Sequence, residues 1–339
     1  MRKYLLPKDG NFYKANLHMH TTVSDGNMSP EEVKRVYKEK GYSIVAFTDH
    51  EVLVPHNDLA DDDFLPITST EISVNKRKDC DFAFSKTYHL NLYSEDKNKD
   101  WFSVFSQNEM WLNHSYKYIT KKQSEIEYMR SYTVESINDI IKKSTEEGFL
   151  VSYNHPVWSL QNYSDYIDLK GLWAIEWYNT GCVHEGYGDT IIPIDDLLKM
   201  GENAFPIATD DAHNINDCFG GFVMVKAQEL RYDLIFKALK NGDFYSSLGP
   251  EIFELYIENG EIYIKTSKVK KIVISSERRY AKSKNITSSD EFVMATFDIS
   301  DYLKASKLEE NKSQYIRITI IDENGLNAHT RAYFLDELM

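Results

Sequence analysis

Along the first 250 residues, short apolar runs alternate with stretches of helical periodicity, the rhythm of a parallel α/β architecture. Phe12 to His20 reads as a strand, followed by a turn at Ser24-Asp25-Gly26-Asn27. Ser29 then suits a helix N-cap, Pro30 the first helical position and Glu32 the third, so a helix is predicted from there to about Lys40, ended by Gly41. Ser43 to Thr48 returns as a strand. Further strands are predicted at Phe64 to Ile72, Tyr88 to Tyr93, Phe149 to Asn154, Trp173 to Tyr178, Ala204 to Thr209 and Phe222 to Lys226. Helices are predicted at Val134 to Glu147, Ile194 to Met200 and Leu230 to Lys240. Seven or eight strands in this rhythm favour a closed or nearly closed βα barrel over an open sheet.

Two segments depart from the rhythm. Glu95 to Ser131 is rich in aromatic and charged residues, among them Trp101, Phe102, Phe105, Trp111, Tyr116, Tyr118 and Tyr128, and reads equally as a lid or as a helical insertion with its own small core. After Leu248-Gly249-Pro250 the runs shorten. Ile252 to Ile257, Asn259-Gly260 and Glu261 to Lys265 form a hairpin pattern with a two-residue turn. Ile272 to Ser275, Phe292 to Asp298, Tyr315 to Asp322 and Thr330 to Leu335 continue as strands. The expectation is a unit at 1–250 and a small antiparallel β-sandwich at 251–339, with a role in buttressing the barrel or in homo-oligomer formation.

Composition narrows the chemistry. Hydrophobic residues at 42% and charged residues at 27% are globular values, and the net charge of −14 makes long nucleic acid a poor default partner. A small anionic substrate stays open, because bound cations reverse the local field. Cys80, Cys182 and Cys218 are odd in number and widely spaced, which points to free thiols in a reducing compartment. The first ten residues carry no apolar signal-peptide core and no stretch reaches membrane-span length, so the cytoplasm is the expected location and no membrane partner is expected.

The histidines and acids carry the functional signal. His18 and His20 are two apart on one predicted strand and share a face. Asp25 follows in the turn, and His50, Glu71, His89, His155 and the pair Asp211 and His213 fall at or just beyond the C-terminal ends of predicted strands. In βα barrels that rim collects catalytic groups from separate strands. Imidazole with carboxylate suits Zn, Mn or Fe, and nine such groups suit two or three ions better than one. His56, His114, His184 and His329 default to ordinary hydrogen-bonded histidines, with His184 the least secure of them. Arg130, Arg231, Lys121 and Lys122 default to solvated surface. Asp210 competes with Asp211 as a ligand, but only Asp211 shares strand parity with His213.

The pieces Asn16-Leu17-His18-Met19-His20-Thr21-Thr22, Ser24-Asp25-Gly26, Phe47-Thr48-Asp49-His50, Thr70-Glu71-Ile72-Ser73, Tyr88-His89-Leu90, Asn154-His155-Pro156 and Thr209-Asp210-Asp211-Ala212-His213 occur in an order that resembles the PHP (polymerase and histidinol phosphatase) superfamily of metal-dependent phosphoesterases. The resemblance covers roughly residues 12–250 and implies a distorted (β/α)7 barrel with metals at its mouth. It further implies that His18, His20, Asp211 and a bridging Glu71 hold one ion, Glu71, His89 and His155 a second, and Asp25, His50 and His213 a third. His18, His20, Asp25, His50, Glu71 and His213 would be the groups nearest the chemistry. Leu90-Asn91-Leu92 stands where many relatives have a glycine-containing run, a departure at the second site. Asn179 matches a strand end in the family, and Asn179 and His184 are candidate substrate contacts; Glu176 reads equally as a ligand or as a partner of one.

The reaction expected is hydrolysis of a phosphomonoester or phosphodiester of a small molecule or nucleotide by metal-activated water. No Gly-x-Ser-x-Gly elbow or Walker loop suggests a protein nucleophile. Amide or ester hydrolysis on the same ions, and a catalytically retired binding module, are the alternatives.

Overall fold

The structure, a computed structural model, describes residues 2–77, 79, 82–287, 290–306 and 314–339. Cys80 lies outside the described residues; Cys182 and Cys218 are free thiols, as expected.

The strands are β1 (Lys3–Tyr4), β2 (Asn11–Asn16), β3 (Ile44–Phe47), β4 (Leu65–Asn75), β5 (Thr87–Ser94), β6 (Phe149–Tyr153), β7 (Ala174–Asn179), β8 (Phe205–Thr209), β9 (Phe222–Ala227) and β10 (Phe244–Ser247), followed by β11 (Ile252–Glu258), β12 (Glu261–Ser267), β13 (Lys271–Ser276), β14 (Ala281–Asn285), β15 (Phe292–Asp298), β16 (Tyr315–Ile321) and β17 (Asn327–Thr330). A large sheet runs in the order β14-β13-β16-β17-β10-β9-β2-β3-β4-β5-β6-β7-β8, and a four-stranded antiparallel sheet runs β1-β11-β12-β15. The class is therefore mixed α/β with a parallel-rich sheet beside an antiparallel one.

The parallel steps are β2–β3–β4 and β6–β7–β8. Between them β4 and β5 form an antiparallel hairpin, and β5 returns antiparallel onto β6. The alternating rhythm read from the sequence thus holds for two parallel blocks and not for the whole sheet. Buried Ala15, Ile44, Ile67, Ala174, Ile207 and Val223, drawn from β2, β3, β4, β7, β8 and β9, nevertheless meet in one apolar core, so the sheet is strongly curled. The hydrogen-bonded order ends at β8; an isolated Met19–Ala212 bridge links the segment after β2 to the segment after β8.

Helix Pro30–Glu39 begins as its sequence dictates. Ser29 Oγ accepts the Glu32 amide at 3.2 Å, while Glu32 Oε2 accepts the Ser29 amide at 2.8 Å. Val33 and Tyr37 face inward, and the Tyr37 hydroxyl reaches the buried Asp210 at 2.8 Å. Helices Val134–Glu146, Ile192–Lys199 and Tyr232–Asn241 lie within two residues of the predicted bounds at each end.

In the C-terminal part, Asn259 and Gly260 both have positive φ, 53° and 83°, as a two-residue hairpin turn between β11 and β12 requires. Alternating residues of β11 and β12 (Leu255, Ile257, Ile262, Ile264) share a core with Ile272, Ile274, Ile316, Ile318 and Ile320 of the large sheet. Pairing of β10 with β17 carries the large sheet continuously across residue 250, and β1 joins the chain's N-terminus to β11. No described helix is long and apolar enough to cross a membrane.

Candidate metal centre

The nine predicted residues converge at one end of the curled sheet. His18 and His20 follow β2, and extended backbone bridged at Met19 to Ala212 keeps their shared orientation. Their Nε2 atoms face each other at 3.2 Å, and each lies close to Asp211 Oδ1, at 3.2 and 3.1 Å. Glu71 is the hub: its carboxylate oxygens lie 3.1–3.4 Å from nitrogens of His18, His20, His50, His89 and His155. Asp25 lies 3.5, 3.7 and 3.3 Å from His20, His50 and His213. Three ligand groups result: His18–His20–Glu71–Asp211, Glu71–His89–His155 and His20–Asp25–His50–His213, each with donor atoms within 4.8 Å of one another. His18, His155 and Glu176 form a fourth such group.

Strand direction corrects the placement of two residues. Glu71 lies within β4 and not at its end, because β4 continues beyond the rim as one arm of the β4–β5 hairpin. His89 sits near the beginning of β5, which runs the opposite way and so starts where its neighbours finish.

The supporting contacts fix this arrangement. His18 Nδ1 lies 2.7 Å from Glu176 Oε1, which turns Nε2 toward the cluster. Glu176 is fully engaged, also accepting from Thr209 Oγ1 at 2.7 Å and from the His155 amide and Asn179 Nδ2, both at 3.0 Å. Asn154 Nδ2 donates to Glu71 Oε1 at 2.8 Å. Asp49 gathers the amides of Thr21 and Ser24 at 2.8 and 3.1 Å, holding the loop that carries Asp25. Gly26 is required there because a Cβ would meet the His20 carbonyl oxygen at 2.3 Å. Asp210, the rival of Asp211, points away into Thr180 and the amides of Phe219, Gly220 and Gly221.

The remaining candidates separate. Asn179 donates to both Glu176 and Asp211 Oδ2 (3.0 Å each) and borders a narrow cleft that also includes His155, Trp158, Tyr178 and Cys182. His184 is instead half-exposed beside Asp217, 3.4 Å away, and is not among the clustered ligands. His329 is buried against Arg317 and Thr319, and His114 contacts the Ser24 carbonyl. Arg231 is on the surface with Asp233 and Glu229, as expected. Arg130 overturns the surface expectation: it is 4% exposed and its Nη1 and Nη2 reach Glu51 at 2.6 and 2.9 Å. Glu51 and Arg130 went unseen because a lone charge in a charged segment carries no local signal of depth, although Glu51 does precede the apolar run Val52-Leu53-Val54.

The donor set fits divalent cations. Imidazole nitrogens and carboxylates point inward from all sides, and His50 Nδ1 and Asp211 Oδ1 are buried with no hydrogen-bond partner. Without a bound cation, protons would supply the counter-charge. Burial opposes charge on His20, but the close carboxylates of Asp211, Glu71 and Asp25 outweigh it and raise its pKa to about 10. Burial lowers His50 to about 3 despite Asp25. Burial pushes Glu71 and Asp211 upward, yet the surrounding histidines hold both well below the usual carboxylate range.

A raised histidine pKa means that a cation must displace a proton at neutral pH, so uptake should release protons and apparent affinity should rise with pH between the ordinary histidine value of about 6.5 and about 10. Calorimetric titration of Mn²⁺ or Zn²⁺ in buffers of different ionisation enthalpy checks this. Proton release is expected, and a buffer-independent heat would contradict the charge assignment.

Residues 16–155 match the PHP domain family model. No curated protein matches the chain. Among solved structures, it is similar to a two-domain protein from Bacteroides vulgatus containing a predicted PHP-like metal-dependent phosphoesterase, with 13% identity, a TM-score of 0.45, and 98% of this chain and 97% of that chain covered. It is also similar to a lesion-specific endonuclease from Pyrococcus furiosus, with 17% identity, a TM-score of 0.43, and 68% and 56% covered. A third similarity is to an amidohydrolase from Chromobacterium violaceum solved with bound sulfate and no metal, with 14% identity, a TM-score of 0.39, and 60% and 88% covered.

Proposed function

We propose that this protein is a phosphoesterase that works with two or three divalent ions, Zn, Mn or Fe, on a small phosphorylated substrate. The observation that carries the reading is the hub: one buried carboxylate, Glu71, faces five histidine rings between two further carboxylates, Asp25 and Asp211. A binding scaffold has no physical need for so many desolvated ligands of two chemical types.

His18, His20, Glu71 and Asp211 would hold one ion, Glu71, His89 and His155 a second, and Asp25, His50 and His213 a third, with His20 lying between the first and third groups. Such ions lower the pKa of water and neutralise charge on phosphoryl oxygens. The chain's own part is orientation. Glu176 fixes the tautomer of His18, Asn154 holds Glu71, and Asp49 with Gly26 sets the turn that aims Asp25. Asn179 would border the bound substrate from the cleft, whereas His184 is the weaker of the two substrate contacts.

The reading also takes the curled sheet to work as a closed barrel over 1–250, with 251–339 as a β-sandwich that braces it or joins copies of the chain, in the cytoplasm. The test is a substrate panel on the full chain with added Mn²⁺: p-nitrophenyl phosphate and bis-p-nitrophenyl phosphate against p-nitrophenyl acetate and an anilide. Turnover confined to the phosphates is expected. Turnover confined to the acyl substrates would transfer the same site to amide or ester hydrolysis.

A further inference from the structure

The segment between β5 and helix Val134–Glu146, open on sequence between lid and insertion, is fastened to the metal centre on two sides. Arg130 forks onto Glu51, the neighbour of His50, and also donates to the Ser73 and Val104 carbonyls. His114 Nε2 lies 2.5 Å from the Ser24 carbonyl oxygen, and Ser115 Oγ donates to Val23 O at 2.7 Å, just before Asp25. Between these anchors stands Trp111, its ring centroid 5.8 Å from that of His50, with the side chain 58% exposed.

A second indole stands by other ligands. Trp158 lies 5.6 Å from His89 and 5.0 Å from His155, half-buried with its Nε1 donating to Glu185 at 2.8 Å, in a loop whose Val157 and Leu160 are exposed. The His50 and His89 rings are themselves 5.6 Å apart, so indole, imidazole, imidazole and indole follow one another across the centre. An indole normally buries its large face. Here the chain spends three anchoring contacts to hold one in water beside a polar cluster, while Arg130, the insertion's cation that reaches the centre, is taken up by Glu51. What an exposed, fixed indole offers is a flat π-surface, which planar rings stack on regardless of their hydrogen-bonding edges.

We propose that Trp111 and Trp158 are specificity residues that receive a planar aromatic or heteroaromatic ring on the alcohol side of the phosphate ester, an inference that rests on the phosphoesterase reading. The segment carrying Trp111 is then a wall of the substrate site.

The test compares two esters with the same kind of primary-alkoxide leaving group, one bearing a ring and one not: adenosine 5′-phosphate and ribose 5-phosphate, on the full chain with Mn²⁺. A kcat/KM preference for the ring-bearing ester of about tenfold or more is expected, residing mainly in KM. Trp111→Ala and Trp158→Ala should each lower that ratio several-fold, and Trp111→Phe should restore most of it. A ratio near one in the unaltered protein, or a ratio indifferent to both alanine variants, overturns the proposal. Should neither ester nor bis-p-nitrophenyl phosphate be turned over, the phosphoesterase reading is what fails. Adenosine titration followed by indole fluorescence then decides the ring site alone: quenching lost in Trp111→Ala supports it, and absence of quenching overturns it.

Discussion

Replacing Glu71 by Gln is expected to empty the centre: metal content falls below one ion per chain and turnover drops by about a thousandfold, the several kcal/mol that metal activation supplies. The size of the effect follows from geometry. Glu71 is the one carboxylate shared by two of the three ligand groups, and it also touches His50 of the third. Gln preserves the volume and can still accept from Asn154 Nδ2, so folding should survive while the negative charge is gone. In the metal-free protein the same change removes the counter-charge that keeps His18, His20 and His155 protonated, so their pKa values should fall. Plasma mass spectrometry of folded Glu71→Gln, with kinetics on a phosphate ester, checks this. Unchanged metal content would sink the assignment of Glu71 as the bridge.

Arg130→Met should cost about 3–5 kcal/mol of stability, because it strands the Glu51 carboxylate in a dry site. Both side chains are essentially inaccessible, at 0% and 1%, so solvent cannot take over the missing partner. Glu51 also has φ +60°, a left-handed conformation rare for a residue with a Cβ, and it is held there by its amide on the Glu71 carbonyl and by its carboxylate on the Ser73 amide. His50 is its chain neighbour, so strain released at Glu51 should reach the metal ligand. The double variant Glu51→Gln with Arg130→Met should recover most of the loss, since a neutral pair carries no stranded charge. Urea denaturation of the four proteins of the cycle measures the coupling. A single variant within about 0.5 kcal/mol of the parent, the range of ordinary surface substitutions, would show that the pair is not a support.

The two cases mark what local sequence conveys. His18-Met19-His20 and Asp211-Ala212-His213 could be read directly, since strand parity is a property of adjacent residues. Ser29-Pro30-Glu31-Glu32 likewise encodes its own capping box. Asn259-Gly260 encodes its turn. Strand direction is not local: nothing in Thr87 to Ser94 says that β5 runs antiparallel to both neighbours, so His89 was placed at the wrong end of its strand although on the correct rim. Two further pairings escaped for the same reason. Ala281–Asn285 is too polar to announce itself as a strand until β13 fixes it, and the short β10 becomes continuous with the C-terminal strands only through β17. The depth of Arg130 and the position of Trp111 depend on how a 37-residue stretch of irregular chain, Glu95 to Ser131, folds back on Ser24 and Glu51. Periodicity has no purchase on such a segment.

The central claim is that these ligands bind metal and that the metal drives phosphate-ester hydrolysis. Its most direct test is metal stoichiometry by inductively coupled plasma mass spectrometry on the full chain purified without chelator, with bis-p-nitrophenyl and p-nitrophenyl phosphate turnover measured before and after EDTA. Two or three ions per chain are expected, with turnover abolished by EDTA and restored by Mn²⁺ or Zn²⁺. Less than one ion per chain, with no turnover after either metal is added, would contradict the account.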